Sequence, residues 1–194
     1  ENCKGVVALK RAEVTREDIH RAIESARTVA VIPHERRILH VLPREFMVDG
    51  QEGVREPLGL SGNRLEVNVH VITGAVTSAQ NIIKSVNRAG LDVVDIILQP
   101  LASSEAVLSQ EERDLGVVMV DLGGGTTDLA IFLDGSIRHS AVLPIGGLNL
   151  TKDLAIGLLT SQTEAEKIKT HHGTARTELV TGHQIVDVPS VGDR

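Results

Sequence analysis

Residues 117–128 read Val-Val-Met-Val-Asp-Leu-Gly-Gly-Gly-Thr-Thr-Asp, and the reading of this stretch decides the fold. A short apolar run carries one carboxylate, Asp121, to its end; three glycines and two threonines follow, and Asp128 opens a second apolar run over 129–133. The pattern is a strand, a tight glycine turn and a returning strand. Gly123, Gly124 and Gly125 lack Cβ atoms, so they can take positive φ and let a ligand approach the backbone. Successive bare N–H groups in such a turn form a concavity for an anion. Asp121 stands where it could hold a Mg²⁺ through water, because that ion keeps several waters and takes few carboxylates. The chemistry suggested is capture of a metal-bound phosphate. The glycines open a hairpin rather than a helix, which separates the stretch from the dinucleotide fingerprint, and no Lys-Ser/Thr follows to make a Walker loop.

Downstream, Asp134-Gly135 is a hairpin signal, followed by a third strand over 136–143. Pro144-Ile145-Gly146-Gly147 then leads into a helix in which Leu150, Leu154 and Leu158 share one face. Ser161-Gln162-Thr163-Glu164 has the spacing of a capping box and starts a helix that runs to His172 and stops at Gly173. The tail, 174–194, is weakly patterned. Upstream, 93–98 reads as a buried strand, and Pro100 suits the first turn of a short helix over 101–108. Residues 111–114 read as a charged turn. Ala79, Ile82, Ile83 and Val86 form a helical stripe closed by Gly90.

Leu65, Val67, Val69 and Val71 alternate with Glu66, Asn68 and His70, the pattern of a half-buried strand with one polar face. Residues 46–62, with four glycines and one proline, read as a long solvent-facing loop in which Arg55 and Glu56 are available for assembly contacts. Residues 38–42 make a short strand ended by Pro43. Thr15-Arg16-Glu17-Asp18 is a capping-box variant opening an amphipathic helix over 16–27, and 6–9 is a short strand. Both helices of this first part are expected to bury their stripes on its own sheet. The domain boundary is expected near Leu91, giving parts 1–90 and 91–194.

The chain has 194 residues, 41% of them hydrophobic, with two Phe and no Trp or Tyr, so its core must be built from Val, Ile, Leu and Ala. The net charge of −6, without a basic stripe or stacking aromatics, argues against nucleic-acid binding. Cys3 is the only cysteine, which excludes a disulfide framework and suits a reducing compartment. No apolar run approaches a membrane span. The chain begins at Glu1 rather than Met, and the expectation is of an excised or processed piece.

Glu166 and Lys169 project from one helix face, where they could hold a nucleoside or form an exposed ion pair. Gly146 and Gly147 precede a helix and could offer bare amides to phosphate, or form a plain strand-to-helix turn. Gln99 could orient an attacking water or end a strand. His171 and His172, about 100° apart on a helix, cannot chelate together, and the eight histidines lack ligand spacing, so no transition-metal site is expected.

These stretches carry a resemblance. Asp-Leu-Gly-Gly-Gly-Thr-Thr-Asp at 121–128 resembles the second phosphate motif of the actin and heat-shock-chaperone ATPase superfamily. Gln99-Pro100-Leu101-Ala102-Ser103-Ser104 is similar to its connecting segment, and Ala165-Glu166-Lys167-Ile168-Lys169 to the stretch that touches the nucleoside. Leu39 through Phe46, Gln51-Glu52-Gly53 through Gly59-Leu60-Ser61-Gly62, and Val69 through Thr73 narrow the resemblance to the FtsA family of bacterial cell-division proteins. Ile137-Arg138-His139, Ala165 through Gly173, and Val188-Pro189-Ser190-Val191-Gly192 fit as well.

The resemblance implies an α/β fold: an actin-like ATPase lobe, with a mixed sheet and the glycine-turn hairpin, plus an inserted α+β subdomain used in self-association and recruitment. It implies ATP and Mg²⁺ as ligands. Asp121 would hold the metal shell; Gly123, Gly124, Gly125, Thr126, Gly146 and Gly147 would serve the phosphates, Glu166 and Lys169 the nucleoside, and Gln99 a water. It implies a weak ATPase at the cytoplasmic face of the inner membrane at the division site, self-assembling, linking FtsZ filaments to the membrane and recruiting later division proteins. The family's first phosphate motif, its adenosine motif, its FtsZ-contacting part and its C-terminal membrane helix are not in these residues. A central piece with about half a nucleotide cleft is therefore expected, weak in ATP binding and without turnover of its own. The alternatives are a pilus-assembly or rod-shape scaffold and a sugar or acetate kinase of the same superfamily.

Overall fold

A computed structural model describes residues 1–180, 182 and 185–190; Val191 and Gly192 of the tail motif lie outside the described residues. The elements run β1 (Asn2–Ala8), α1 (Arg16–Val29), β2 (Arg36–Val48), β3 (Gln51–Val54), β4 (Arg64–Ala75), α2 (Val76–Arg88), α3 (Gln99–Val107), α4 (Gln110–Leu115), β5 (Val117–Leu122), β6 (Thr127–Leu133), β7 (Ser136–Leu143), α5 (Gly147–Gly157) and α6 (Gln162–His172), with a 3₁₀ turn at Thr177–Leu179. The expected α/β class holds. The strands form a four-stranded sheet, order β1-β4-β2-β3, and a three-stranded sheet, order β5-β6-β7. The chain divides into two compact units: Glu1–Met119 with Leu129–Ser140, and Val120–Asp128 with Ala141–Arg194. The boundary expected near Leu91 falls inside the first of them.

In the first unit, β4 pairs antiparallel with β1 on one side and β2 on the other. Thr15 and Asp18 close the expected capping box at the start of α1, and the helix lays Ala22 and Ala26 on the sheet. The approach is close enough to require glycine. A Cβ on Gly5 of β1 would fall against the Ala22 carbonyl and within 2.9 Å of the Ala26 Cβ. Leu65, Val67, Val69 and Val71 of β4 are buried with Val14, Phe46 and Val48. A second cluster joins Met119, Ala130, Phe132 and Ile137, with the Arg113 guanidinium 5.7 Å from the Phe132 ring centre.

Several expectations need correction. β1 begins four residues earlier than the apolar pattern, because its partner β4 supplies the ladder. β2 does not end at Pro43; it continues to Val48. At Pro43 no third strand lies alongside, since β3 reaches only Phe46 and Val48, and a register shift follows between Pro43 and Glu45, so the missing N–H is tolerated. The loop expected over 46–62 contains the β2–β3 hairpin, turned by Asp49 (φ 49°) and Gly50 (φ 87°), a two-residue turn of the kind that suits strand twist. Asp134 and Gly135 make the same turn between β6 and β7. The charged turn at 111–114 is helix α4, capped by Ser109 and Glu112.

The polar face of β4 is buried too. Glu66, 2% exposed, is paired with Lys4 and Arg64, and those partners hold its carboxyl below its ordinary value. His70, 4% exposed, lies with Nδ1 2.8 Å from Asn2 Oδ1 and Nε2 3.0 Å from Ser140 Oγ. One neutral tautomer satisfies both contacts, with Nδ1–H donating and Nε2 accepting. The stripe of α2 is not buried: only Ala79 is, and Ile82 is 57% exposed. The strand expected at 93–98 does not form: the segment has no regular structure and pairs with no strand of the described residues, Leu98 N–H donates to His40 Nε2 at 3.0 Å, and Val94 is 98% exposed. Apolar composition states that a segment wants cover; it does not name what supplies it.

Two outcomes follow. Gly5→Val should cost about 2 kcal/mol or more, the scale of an overpacked core, read as the shift in urea midpoint at constant slope; an unchanged midpoint would show that α1 can lift off β1 freely. Burial pushes the His70 pKa down from 6.5 to about 4. The group thus contributes stability that is present above pH 6.5 and is lost as pH falls through about 4. Denaturation midpoints taken between pH 7 and 4 should decline, and His70→Asn should flatten that decline.

Candidate functional site

Asp121, the penultimate residue of β5, and the turn 123–126 lie in the second unit with α5 and α6. Among the described residues the positive-φ glycines are elsewhere, at 50, 53, 59, 90, 116, 135 and 182. Gly123, Gly124 and Gly125 therefore do not serve by taking the left-handed region, as expected from sequence. The constraint is close approach. A Cβ on Gly146 would stand 2.6 Å from the carbonyl oxygens of both Gly123 and Gly124. The first turn of α5 presses on the glycine turn at a distance that only glycine allows.

That contact uses the amides that sequence offered to a ligand. Gly147 N–H donates to the Gly123 carbonyl at 3.0 Å and Leu148 N–H to that of Gly124 at 2.7 Å. Gly146 N–H donates to Asn149 Oδ1 at 3.0 Å. Gly146 and Gly147 thus buttress the turn from behind. Within the turn, Gly123 N–H donates to the Thr126 carbonyl at 2.9 Å, while among the described residues the N–H groups of Gly124 and Gly125 find no partner. A Cβ at Gly125 would meet open space, and one at Gly124 only Leu148, at 3.8 Å. The open part of the concavity is at these two residues. The Thr126 hydroxyl donates to buried Asp128 at 3.0 Å, and that of Thr127 to the Ile145 carbonyl at 2.7 Å.

Glu166 and Lys169 do meet, at 2.7 Å, but not as an isolated surface pair. The buried Thr151 hydroxyl of α5 lies between them, 2.5 Å from Glu166 and 2.9 Å from Lys169 Nζ. Lys169 also donates to the Gly147 carbonyl at 3.2 Å. The ammonium of Lys169, first, and the Thr151 hydroxyl hold the Glu166 carboxyl below its ordinary value. The lysine thereby connects α6 to the residue that braces the turn.

Beside it is a cavity of about 520 Å³ lined by Leu150, Leu154, Ile168, Lys169, His172 and Gly173, with Thr174 and Ala175. Leu150, which lines it, and Leu158, which caps α5, stay exposed although their spacing reads as a core stripe; the face packed on α6 carries Thr151 and Ala155 instead. Sequence reading missed Thr151, whose signal was its place one turn after Gly147, and Asn149, the N3 residue of α5. The capping box at Ser161 is half formed, since Ser161 accepts from Glu164 N–H while the Glu164 carboxylate turns to Lys167. Gln99 opens α3 in the first unit. Among the described residues no three His, Cys, Asp or Glu side chains gather as a metal-ligand group, and no helix is long and apolar enough to cross a membrane.

Two family models match the chain: the SHS2 domain inserted in FtsA, over residues 1–73, and cell division protein FtsA, over residues 118–194. The chain is 51% identical over 193 residues to the cell division protein FtsA of Pseudomonas aeruginosa, covering all of this chain and 46% of that protein. It is 44% identical to that of Escherichia coli K12, covering all of this chain and 46% of that protein. For Bacillus subtilis the identity is 42%, over 99% of this chain and 44% of that protein. The chain thus spans about half the length of the curated relatives it matches. Among solved structures, a chain of a PilM-PilN type IV pilus biogenesis complex superposes with a TM-score of 0.58 at 18% identity, covering 88% of this chain and 48% of that one. That likeness is one of fold.

Thr151→Val should destabilise the protein by about 1–2 kcal/mol, the effect of stranding buried partners, and should raise the Glu166 pKa toward its ordinary value. Urea denaturation and side-chain carboxyl NMR read the two effects. A Glu166 titration that does not move would mean that the hydroxyl plays no part in the cluster.

Proposed function

This chain belongs to the FtsA family of bacterial cell-division proteins, and on that premise we propose that it is the part of an ATP-binding, actin-like division protein that carries the inserted subdomain and one side of the nucleotide cleft. The protein works at the cytoplasmic face of the inner membrane at the division site, where it self-assembles, links FtsZ filaments to the membrane and recruits later division proteins. Residues 1–90 serve recruitment and self-association, and 91–194 serve the nucleotide. Whole-chain identity of 42–51% to division proteins favours this reading over a pilus scaffold, to which the likeness is of fold alone.

The observation that carries the nucleotide reading is the glycine turn itself. Two amides, at Gly124 and Gly125, that find no partner among the described residues stand on a loop braced from behind by α5, with Asp121 near the end of the strand that feeds it. Amides fixed in this way suit phosphate oxygens, and a single carboxylate suits a hydrated Mg²⁺. The largely apolar cavity beside Lys169 has room for a nucleoside. Thr126, Gly146 and Gly147 shape the phosphate side, and Glu166 and Lys169 the nucleoside side. Gln99 keeps the role of water-positioning candidate on resemblance alone. With one side of a cleft, binding by this chain is weak and turnover absent, because a ligand held from one side loses most of the preorganisation that affinity needs.

Amide NMR detects weak binding directly. Mg-ATP should shift the Gly124 and Gly125 resonances of this chain saturably. Gly124→Val should abolish the shifts while leaving the fold intact, since its Cβ meets only Leu148. Asp121→Asn should weaken Mg-ATP far more than metal-free ATP. Shifts that persist in the valine variant would move the phosphate elsewhere, and equal losses in the asparagine variant would make Asp121 structural.

A further inference from the structure

Away from the glycine turn, wholly within the first unit, a cavity of about 260 Å³ is lined by Arg44, Glu45, Gly53, Arg55, Asp134 and Arg138. It lies where the β2–β3 hairpin meets the β6–β7 turn. Three guanidiniums and two carboxylates face it, and they are unequally served. Arg138 is paired with Asp134 at 2.6 Å, and its Nε reaches the Leu133 carbonyl at 3.4 Å. Arg55 is paired with Asp114 of α4 at 3.1 Å. Glu45 accepts from Asn68 Nδ2 at 2.9 Å.

Arg44 is different. Its Nε is buried without a hydrogen-bond partner, and among the described residues its guanidinium makes no ion pair. Burial, and then the charge of Arg138, disfavour its cationic form, and the neighbouring Glu45 carboxylate offsets them only in part. A guanidinium does not escape by losing its proton, so the charge stays. A partly desolvated cation next to a second cation is costly until an anion joins it, and the guanidinium fork matches planar or tetrahedral oxyanions through two parallel hydrogen bonds.

We propose that Arg44, with Arg138 and Arg55 at its rim, forms an oxyanion-binding site for a carboxylate or phosphate group between the β2–β3 hairpin and the β6–β7 turn. Such an anion completes the coordination of Arg44 and relieves its repulsion with Arg138. It also adds a link between the inserted four-stranded sheet and the hairpin of the lobe. That joint already rests on the Arg55–Asp114 pair and on Ser136 Oγ–H donating to the Arg44 carbonyl at 3.2 Å. Occupation therefore stiffens the coupling between these two pieces of the first unit.

The test uses the 194-residue chain at constant ionic strength, with chloride as the exchanged anion. Inorganic phosphate and succinate are titrated separately while the Arg Nε–H resonances and the melting temperature are followed. The expected result is a saturable shift of the Arg44 Nε–H signal and a saturable rise in melting temperature. R44Q should lower the apparent affinity about tenfold or more, the loss of one charge-assisted contact. It should be no less stable than the parent in anion-free buffer, since it removes a partly desolvated cation that forms no ion pair among the described residues. A response to phosphate alone narrows the ligand to phosphate; a response to both leaves the general oxyanion. Equal, non-saturating responses in parent and R44Q would overturn the proposal, as would an R44Q chain destabilised in anion-free buffer. Should R44Q fail to fold, an Arg44 Nε–H signal in the parent that phosphate and succinate leave unmoved would overturn it equally.

Discussion

The second unit is organised by one backbone contact: the first turn of α5 laid against the carbonyls of the glycine turn. Gly147 and Leu148 donate into Gly123 and Gly124, and no side chain fits at Gly146. A helix N-terminus has unsatisfied donors that must go somewhere. Here they hold a loop in shape rather than meeting a ligand. The loop can then present its own outward amides from a fixed frame, and Lys169, bonded to the Gly147 carbonyl and to Thr151, ties that frame to α6. Thr151 bonds the Gly147 carbonyl directly as well as through Lys169, so a change there reaches the glycine turn by way of the first turn of α5.

The first unit uses the same device with different chemistry. Gly5 lets α1 rest on β1 backbone to backbone, and Ala22 and Ala26 keep the helix close. A core without tryptophan or tyrosine has few large side chains to bridge a wide gap between layers. Small residues at the contact let valines and leucines of β4 fill the remaining space. The cost appears on the other face of β4, where Glu66 and His70 are enclosed and must each be satisfied by named partners.

Local signals were legible where the chemistry is self-contained. Thr15 with Asp18, Gly90 after α2, Asp134-Gly135, and the strand–glycine–strand pattern around Asp121 each specify their own geometry within a few residues. Asp49-Gly50 carries the same turn signal as Asp134-Gly135, yet it was hidden by neighbouring glycines and Pro57, which made the region read as loop. Pro43 looked like a strand end because sequence does not reveal that β3 stops short of it. For the site, the residue types and their order were readable, whereas the direction of the Gly147 amide was not. Helix N-termini look alike in sequence whether their donors point to a ligand or to a neighbouring carbonyl.

The irregular segment between α2 and α3 has a consequence for the chain in solution. Its backbone pairs with no strand of the described residues, and Val94 and Ile97 stand 98% and 62% exposed. Its amides at Ile96 and Leu98 are spent on Asp95 and His40, but branched apolar side chains left in water are adhesive toward another copy of the chain. What opposes that adhesion is the mutual repulsion of molecules carrying a net charge of −6. Salt screens this repulsion over about 8 Å at physiological ionic strength and leaves apolar attraction in place. Contact between copies through this segment thus balances a short-range attraction that salt does not weaken against a repulsion that it does.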